Sequence, residues 1–183
     1  MRNSPVSPGA TVWLTGLPGA GKTTIASVLA GQLRAAGREV EVLDGDELRA
    51  NLSAGLGFSR QDRDTHVRRV GFVAELLARH GVIALVPVIA PYAATRDDVR
   101  AQHDAHGTSY LEVHVATPLA ECRRRDPKGL YARAAAGELT ALTGVDDPYE
   151  EPDKPDLRVD TTGSDVATAA QRVLDLLIER GLA

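Results

Sequence analysis

The chain alternates short apolar runs with longer segments whose apolar residues recur every three or four positions, which predicts strands interleaved with helices. Thr11-Val12-Trp13-Leu14-Thr15 predicts a buried first strand. Ile25, Val28, Leu29 and Leu33 predict the inner stripe of a helix that starts near Lys22, ends near Ala36 and is capped by Gly37. Val40 to Leu43 predicts the second strand. Ser59 is the expected N-cap of a long helix that buries Val67, Val70, Val73, Ala74 and Leu77 and is closed by Gly81. Val82 to Ile89 is continuously apolar, as in a central parallel strand, and Pro87 should mark its end or a bulge. A helix with Arg96 and Arg100, a strand over Tyr110 to Val115, a helix over Pro118 to Arg125 and a strand over Leu157 to Asp160 follow. The last helix, from Ser164-Asp165, should present Val166, Ala170, Val173, Leu174, Leu177 and Ile178 on one face. This order predicts an α/β fold, a parallel sheet of about five strands flanked by helices. Two stretches break the pattern. Residues 1–10 read as a loose tail before one domain over 11–183, and residues of about 126–155 read as a mobile lid.

Composition narrows the classes. A length of 183 residues fits one domain with a real core, and 43% hydrophobic and 25% charged residues are ordinary for a globular protein. A formal net charge of −4 argues against a nucleic-acid partner held by bulk electrostatics. The single cysteine, Cys122, allows no internal disulfide and is expected to be buried or incidental. No apolar run has the length of a membrane span and the N-terminus has no signal-peptide core, so no membrane partner and a cytoplasmic location are expected. His103 and His106 lie one turn apart without a carboxylate or cysteine to complete a metal set, and read as exposed helix histidines.

Between the first strand and first helix stands Gly16-Leu17-Pro18-Gly19-Ala20-Gly21-Lys22-Thr23. A triphosphate needs backbone N–H groups curled around closely spaced oxygens, and the glycines permit that approach. The helix start adds donors and a positive dipole end. Lys22 should reach the β- and γ-phosphates and Thr23 should ligate Mg²⁺. The strand–loop–helix context makes this a P-loop NTPase fold that binds a nucleoside triphosphate. Asp44-Gly45-Asp46 closes the second strand, where α/β sheets place ligands, although Asp46 also reads as a plain helix cap. No Asn-Lys-x-Asp element for guanine is present, and the central strand ends in Ile89-Ala90-Pro91 rather than in an acidic residue. That arrangement suits a small-molecule kinase, in which a carboxylate meets both Mg²⁺ and an acceptor hydroxyl.

From about Thr11 to the last helix the chain resembles the adenylylsulfate kinase family. The resemblance is carried by Gly16 to Thr24, Leu43-Asp44-Gly45-Asp46 with Arg49, Leu56-Gly57-Phe58-Ser59, Asp62-Arg63, Val88 to Tyr92 with Arg96, Arg125 to Tyr131, and Thr143-Gly144-Val145-Asp146. It implies transfer of the γ-phosphate of ATP to the ribose 3′-hydroxyl of adenylyl sulfate, with Mg²⁺ as cofactor, and a homodimer is expected. It implies catalytic roles for Asp46, Lys22 and Asp44, a metal site at Thr23 and Asp44, and an ATP site over Gly16, Leu17, Pro18, Gly19, Ala20, Gly21, Lys22, Thr23 and Thr24 with Arg125. Acceptor contacts are expected from Asp46, Arg49, Phe58, Arg63, His66, Ile89, Ala90, Lys128 and Leu142. Arg49 and Arg63 suit an oxyanion acceptor, Phe58 offers a face for adenine, and Lys128 on the lid helps exclude water. The chain departs from the family pattern at Ala90, where serine is common and where no phosphoserine step can occur. It departs also at Ala93, at Thr65-His66 and at Leu142. A kinase of the same fold acting on another nucleotide or small anionic alcohol, and a nucleotide-binding regulatory or structural protein without turnover, are the alternatives.

Overall fold

The computed structural model describes residues 8–183. The expected tail over residues 1–7 lies outside the described residues, and Ala10 already belongs to the first strand. The elements run β1 (Ala10–Thr15), α1 (Lys22–Ala35), β2 (Val40–Val42), α2 (Gly45–Leu52), α3 (Arg60–Arg79), β3 (Ile83–Pro87), α4 (Ala93–Ala105), β4 (Ser109–Val115), α5 (Leu119–Arg125), α6 (Leu130–Ala135), β5 (Leu157–Val159) and α7 (Val166–Glu179). The five strands form one parallel sheet in the order β2-β3-β1-β4-β5.

β1 lies at the centre, and its residues alternate between the two layers. Val12 and Leu14 point to a cluster with Ile25, Leu29 and Leu33 of α1 and Ala170, Val173 and Leu177 of α7. Trp13 points the other way, to Val67, Val70 and Ala74 of α3 and Val99 of α4. The chain leaves β1 for β2, returns to β3 beside β1, and then crosses to β4 on the other side. Strand order reverses at β1, so the loop after it opens into the crevice where such sheets bind ligands. Pro87 ends β3, as its missing N–H requires.

Several expectations change. The N-cap of α2 is Asp44, not Asp46, because the chain turns helical at Gly45 and puts Asp46 in the first turn. His103 is fully buried, not exposed: its Nε2 meets the Thr11 hydroxyl at 2.8 Å and its Nδ1 the Val99 carbonyl at 2.8 Å. Both ring nitrogens are thereby satisfied, and burial lowers its pKa. Ile178 is 56% exposed, since Leu176 takes the inner position in its place. The stretch 126–155 contains α6, a helix too short and too poor in apolar spacing to announce itself.

Candidate active site

The loop between β1 and α1 is shaped by its glycines. At Gly16 (φ 153°) a Cβ would run into the Val115 carbonyl. Gly21 (φ 102°) caps α1 without a side chain of its own, so the first N–H groups of that helix face the loop. The floor is held from behind. The Ala20 carbonyl lies 3.0 Å from the Thr117 hydroxyl and 3.1 Å from that of Thr161, which in turn accepts from Arg125 Nη1 at 2.7 Å. Tyr131 donates to the Pro18 carbonyl at 2.9 Å, which ties α6 to the loop. Arg125 is further fixed by the Thr161 carbonyl and Glu121.

Lys22 is buried, and its Nζ donates to the Gly16 carbonyl at 2.9 Å and the Leu17 carbonyl at 2.8 Å. Burial lowers its pKa to about 8. The Thr23 hydroxyl donates to Asp44 Oδ2 at 3.4 Å, while Asp44 Oδ1 accepts from the N–H groups of Asp46 (3.0 Å) and Glu47 (3.4 Å). The cap thus aims one Asp44 oxygen at the loop. Asp46 is exposed beside it and pairs with Lys128, which comes from the segment before α6. Among the described residues no group of three or more His, Cys, Asp or Glu is placed to hold a metal ion. Thr23 and Asp44 offer two convergent oxygens, the donor type a hard divalent cation would take.

On the other side of the mouth, Phe58 is 59% exposed between two guanidinium groups, Arg49 at 4.8 Å and Arg63 at 5.7 Å from its ring centroid. Arg49 also donates to the Gly57 carbonyl at 3.0 Å. Arg63 is buried, with one bond made from each of its three nitrogens. It donates to the Phe58 carbonyl (2.9 Å), the Thr143 hydroxyl (2.9 Å) and the Ala141 carbonyl (2.5 Å), with Asp147 at 3.5 Å. It therefore locks α3 to the strap 139–151. His66 lies buried with Nδ1 2.9 Å from the Ser53 hydroxyl; burial, then Arg49 and Arg69, lower its pKa to about 4, so it is neutral at pH 7. Leu142 is buried in the α1-side cluster. The Ile89 carbonyl accepts from Thr15 at 2.5 Å, and Ala90 has φ 45°. A left-handed alanine costs about 1–2 kcal/mol, so the surrounding bonds must hold it.

A cleft of about 430 Å³ runs from Leu17 along the strap between Gly144 and Glu151. The fold thus collects Lys22, Thr23, Asp44, Asp46 and Lys128 at one mouth, with Arg49, Phe58, Arg63 and His66 as a second group. Sequence reasoning missed the supports Thr117 and Thr161, and also Glu112 and Glu150, whose carboxylates accept from Arg96 and from Ala93 N–H. Glu112 carried a signal, being a carboxylate in the middle of an apolar strand; the threonines carried none.

The family model for adenylylsulphate kinase matches residues 8–160. An adenylyl-sulfate kinase of Picosynechococcus sp. is 50% identical over 173 residues, covering 94% of this chain and 96% of that protein. That of Deinococcus deserti is 51% identical over 177 residues, covering 97% and 96%. Among solved structures, the APS kinase CysC of Mycobacterium tuberculosis in complex with AMPPNP and APS superposes with a TM-score of 0.90 at 48% identity, covering 93% of this chain and 98% of that one.

Proposed function

This chain belongs to the adenylylsulphate kinase family, and from that we propose that it transfers the γ-phosphate of ATP to the 3′-hydroxyl of adenylyl sulfate, giving 3′-phosphoadenylyl sulfate and ADP. The observation that carries the proposal is the shared mouth, where the Lys22–Thr23–Asp44 line meets Asp46 and Lys128. ATP lies along Gly16 to Thr24 with Arg125 at its side, and Lys22 exchanges the two loop carbonyls for phosphate oxygens. Thr23 and Asp44 would hold Mg²⁺, which when bound would offset phosphate charge. Asp46 accepts the proton of the 3′-hydroxyl as that oxygen bonds to the γ-phosphorus and the bond to the leaving β-phosphate oxygen breaks. Arg49, Phe58, Arg63, His66, Ile89, Ala90, Leu142 and Lys128 line the acceptor side. The lid over 126–155 is held at both ends, by Tyr131 on the Pro18 carbonyl and by Arg63 on Ala141 and Thr143, and Lys128 reaches from it over the mouth. A homodimer is the proposed assembly. The test is a product assay: ATP and adenylyl sulfate should yield ADP and 3′-phosphorylated nucleotide in equal amounts. Recovery of adenylyl sulfate with its 3′-hydroxyl free while ADP accumulates would refute the assignment.

Two further outcomes follow from the site. Phosphate oxygens around Lys22 favour its ammonium form, so ATP binding takes up a proton wherever free Lys22, with its pKa of about 8, has lost one. ATP affinity should be level below pH 8 and fall toward about tenfold per unit above it, as read by calorimetric titration. Affinity that climbs with pH across that point contradicts the role. Arg63→Ala should lower stability by about 1.5–3 kcal/mol, read from the denaturant midpoint, because it strips donors from Thr143 and the Ala141 carbonyl. It should also weaken adenylyl sulfate by roughly ten- to a hundredfold and ATP by only a few fold. Equal weakening of both nucleotides makes Arg63 purely structural.

A further inference from the structure

Two irregular segments contribute to the acceptor side, the turn between β3 and α4 and the strap 139–151, and one side chain joins them. Arg96 projects from α4 and is 3% exposed. Its Nη1 donates to the Ala90 carbonyl at 2.7 Å, its Nη2 to the Glu150 carbonyl at 2.7 Å and its Nε to Glu112 Oε1 at 2.9 Å. The same two segments meet again where Glu150 N–H donates to the Pro91 carbonyl (2.8 Å) and the Glu150 carboxylate accepts from Ala93 N–H (2.7 Å). Ala90 is the left-handed residue of that turn, and an alanine relaxes from φ 45° unless its neighbours hold it. Two successive carbonyls are held, that of Ile89 by Thr15 and that of Ala90 by Arg96. Glu112 has its own place in this arrangement. A carboxylate in a buried interior strand needs partners, and it finds Arg96 and, at 3.6 Å, Arg100. A planar guanidinium serves three acceptors in fixed directions, which a lysine ammonium at the end of a flexible stem does not.

We propose that Arg96, aimed by Glu112, is the positioning residue of the acceptor side: it keeps the Ala90 turn left-handed and docks the strap on it, so that the wall facing adenylyl sulfate is formed before that substrate arrives. The proposal rests on the reading that adenylyl sulfate is the acceptor. Steady-state kinetics on the full chain test it, with ATP and adenylyl sulfate varied separately. Arg96→Lys is expected to raise the KM for adenylyl sulfate by about tenfold or more while the KM for ATP stays within about twofold. Adding Ala90→Gly to that variant should recover part of the loss, because glycine takes positive φ at no steric cost. A residue that merely supports the fold lowers kcat with both KM values unchanged, or raises both alike, and gains nothing from the glycine. Any of those results overturns the proposal. Should Arg96→Lys fail to fold, Glu112→Gln leaves the guanidinium in place and removes the charge that aims it. It should raise the KM for adenylyl sulfate by at least about threefold without moving that for ATP, and no such rise overturns the proposal. Wild-type protein without adenylyl sulfate-dependent ADP release overturns the acceptor reading itself, whereas normal wild-type turnover with an unchanged acceptor KM in the variants overturns the role of Arg96 alone.

Discussion

Lys22→Ala should leave a folded protein whose phosphoryl transfer falls by about a hundredfold or more, about 2.7 kcal/mol of transition-state stabilisation. Charge moves from the γ-phosphate to the leaving oxygen during transfer, and the buried ammonium is the loop's own cation for that charge. The fold does not depend on it. Burial lowers the Lys22 pKa to about 8 from 10.5, so the unfolded chain binds the proton more tightly between those values. For this group, stability is smallest below pH 8, where the ammonium is charged and buried, and rises with pH up to about 10.5. Truncation removes that unfavourable contribution, so the melting temperature at pH 7 should hold within a few degrees and lose its rise above pH 8. A folded variant that retains more than about a tenth of wild-type turnover shows that Lys22 does not neutralise the moving charge.

Asp46→Asn isolates the acceptor end of the same reaction. Asparagine keeps the shape of the side chain and gives up its capacity to take a proton. Turnover should fall by about 10²–10⁴-fold, the usual worth of a placed general base, while ATP affinity changes by only a few fold. Asp46 is exposed and, among the described residues, its carboxylate pairs only with the exposed Lys128, so stability should hardly move. Asp44 makes the contrast. Its carboxylate caps α2 and meets Thr23, so Asp44→Asn should disturb metal-dependent ATP binding instead. If ATP binding collapses in Asp46→Asn, the two aspartates have exchanged roles.

The sheet and the phosphate loop were legible because each has a strong local cause. Apolar runs bounded by breakers specify β1, β3 and β4, and Gly16, Gly19 and Gly21 have few other reasons to stand between a strand and a helix. Asp44 and Asp46 were legible as a pair but not in their division of labour, because which of them caps α2 depends on a single residue of helix start. His103 was misread since helix spacing alone cannot show that the Thr11 hydroxyl waits inside the sheet for a partner. The largest gap was 126–155. Its order comes from long-range bonds, Arg63 to Ala141 and Thr143, Arg96 to Glu150 and Tyr131 to Pro18, and no local pattern encodes those. Arg63 itself was legible as an arginine at the acceptor side, while its engagement by three protein acceptors was not.

The central claim is that this mouth joins ATP to adenylyl sulfate, and the rate of ADP release with and without that acceptor tests it most directly. At saturating Mg²⁺ and ATP, adenylyl sulfate should raise ADP release by about a hundredfold or more over the rate without acceptor, and AMP, which lacks the sulfate, should not substitute for it. Equal ADP release with and without adenylyl sulfate, or a larger response to another small anionic alcohol, would contradict the account.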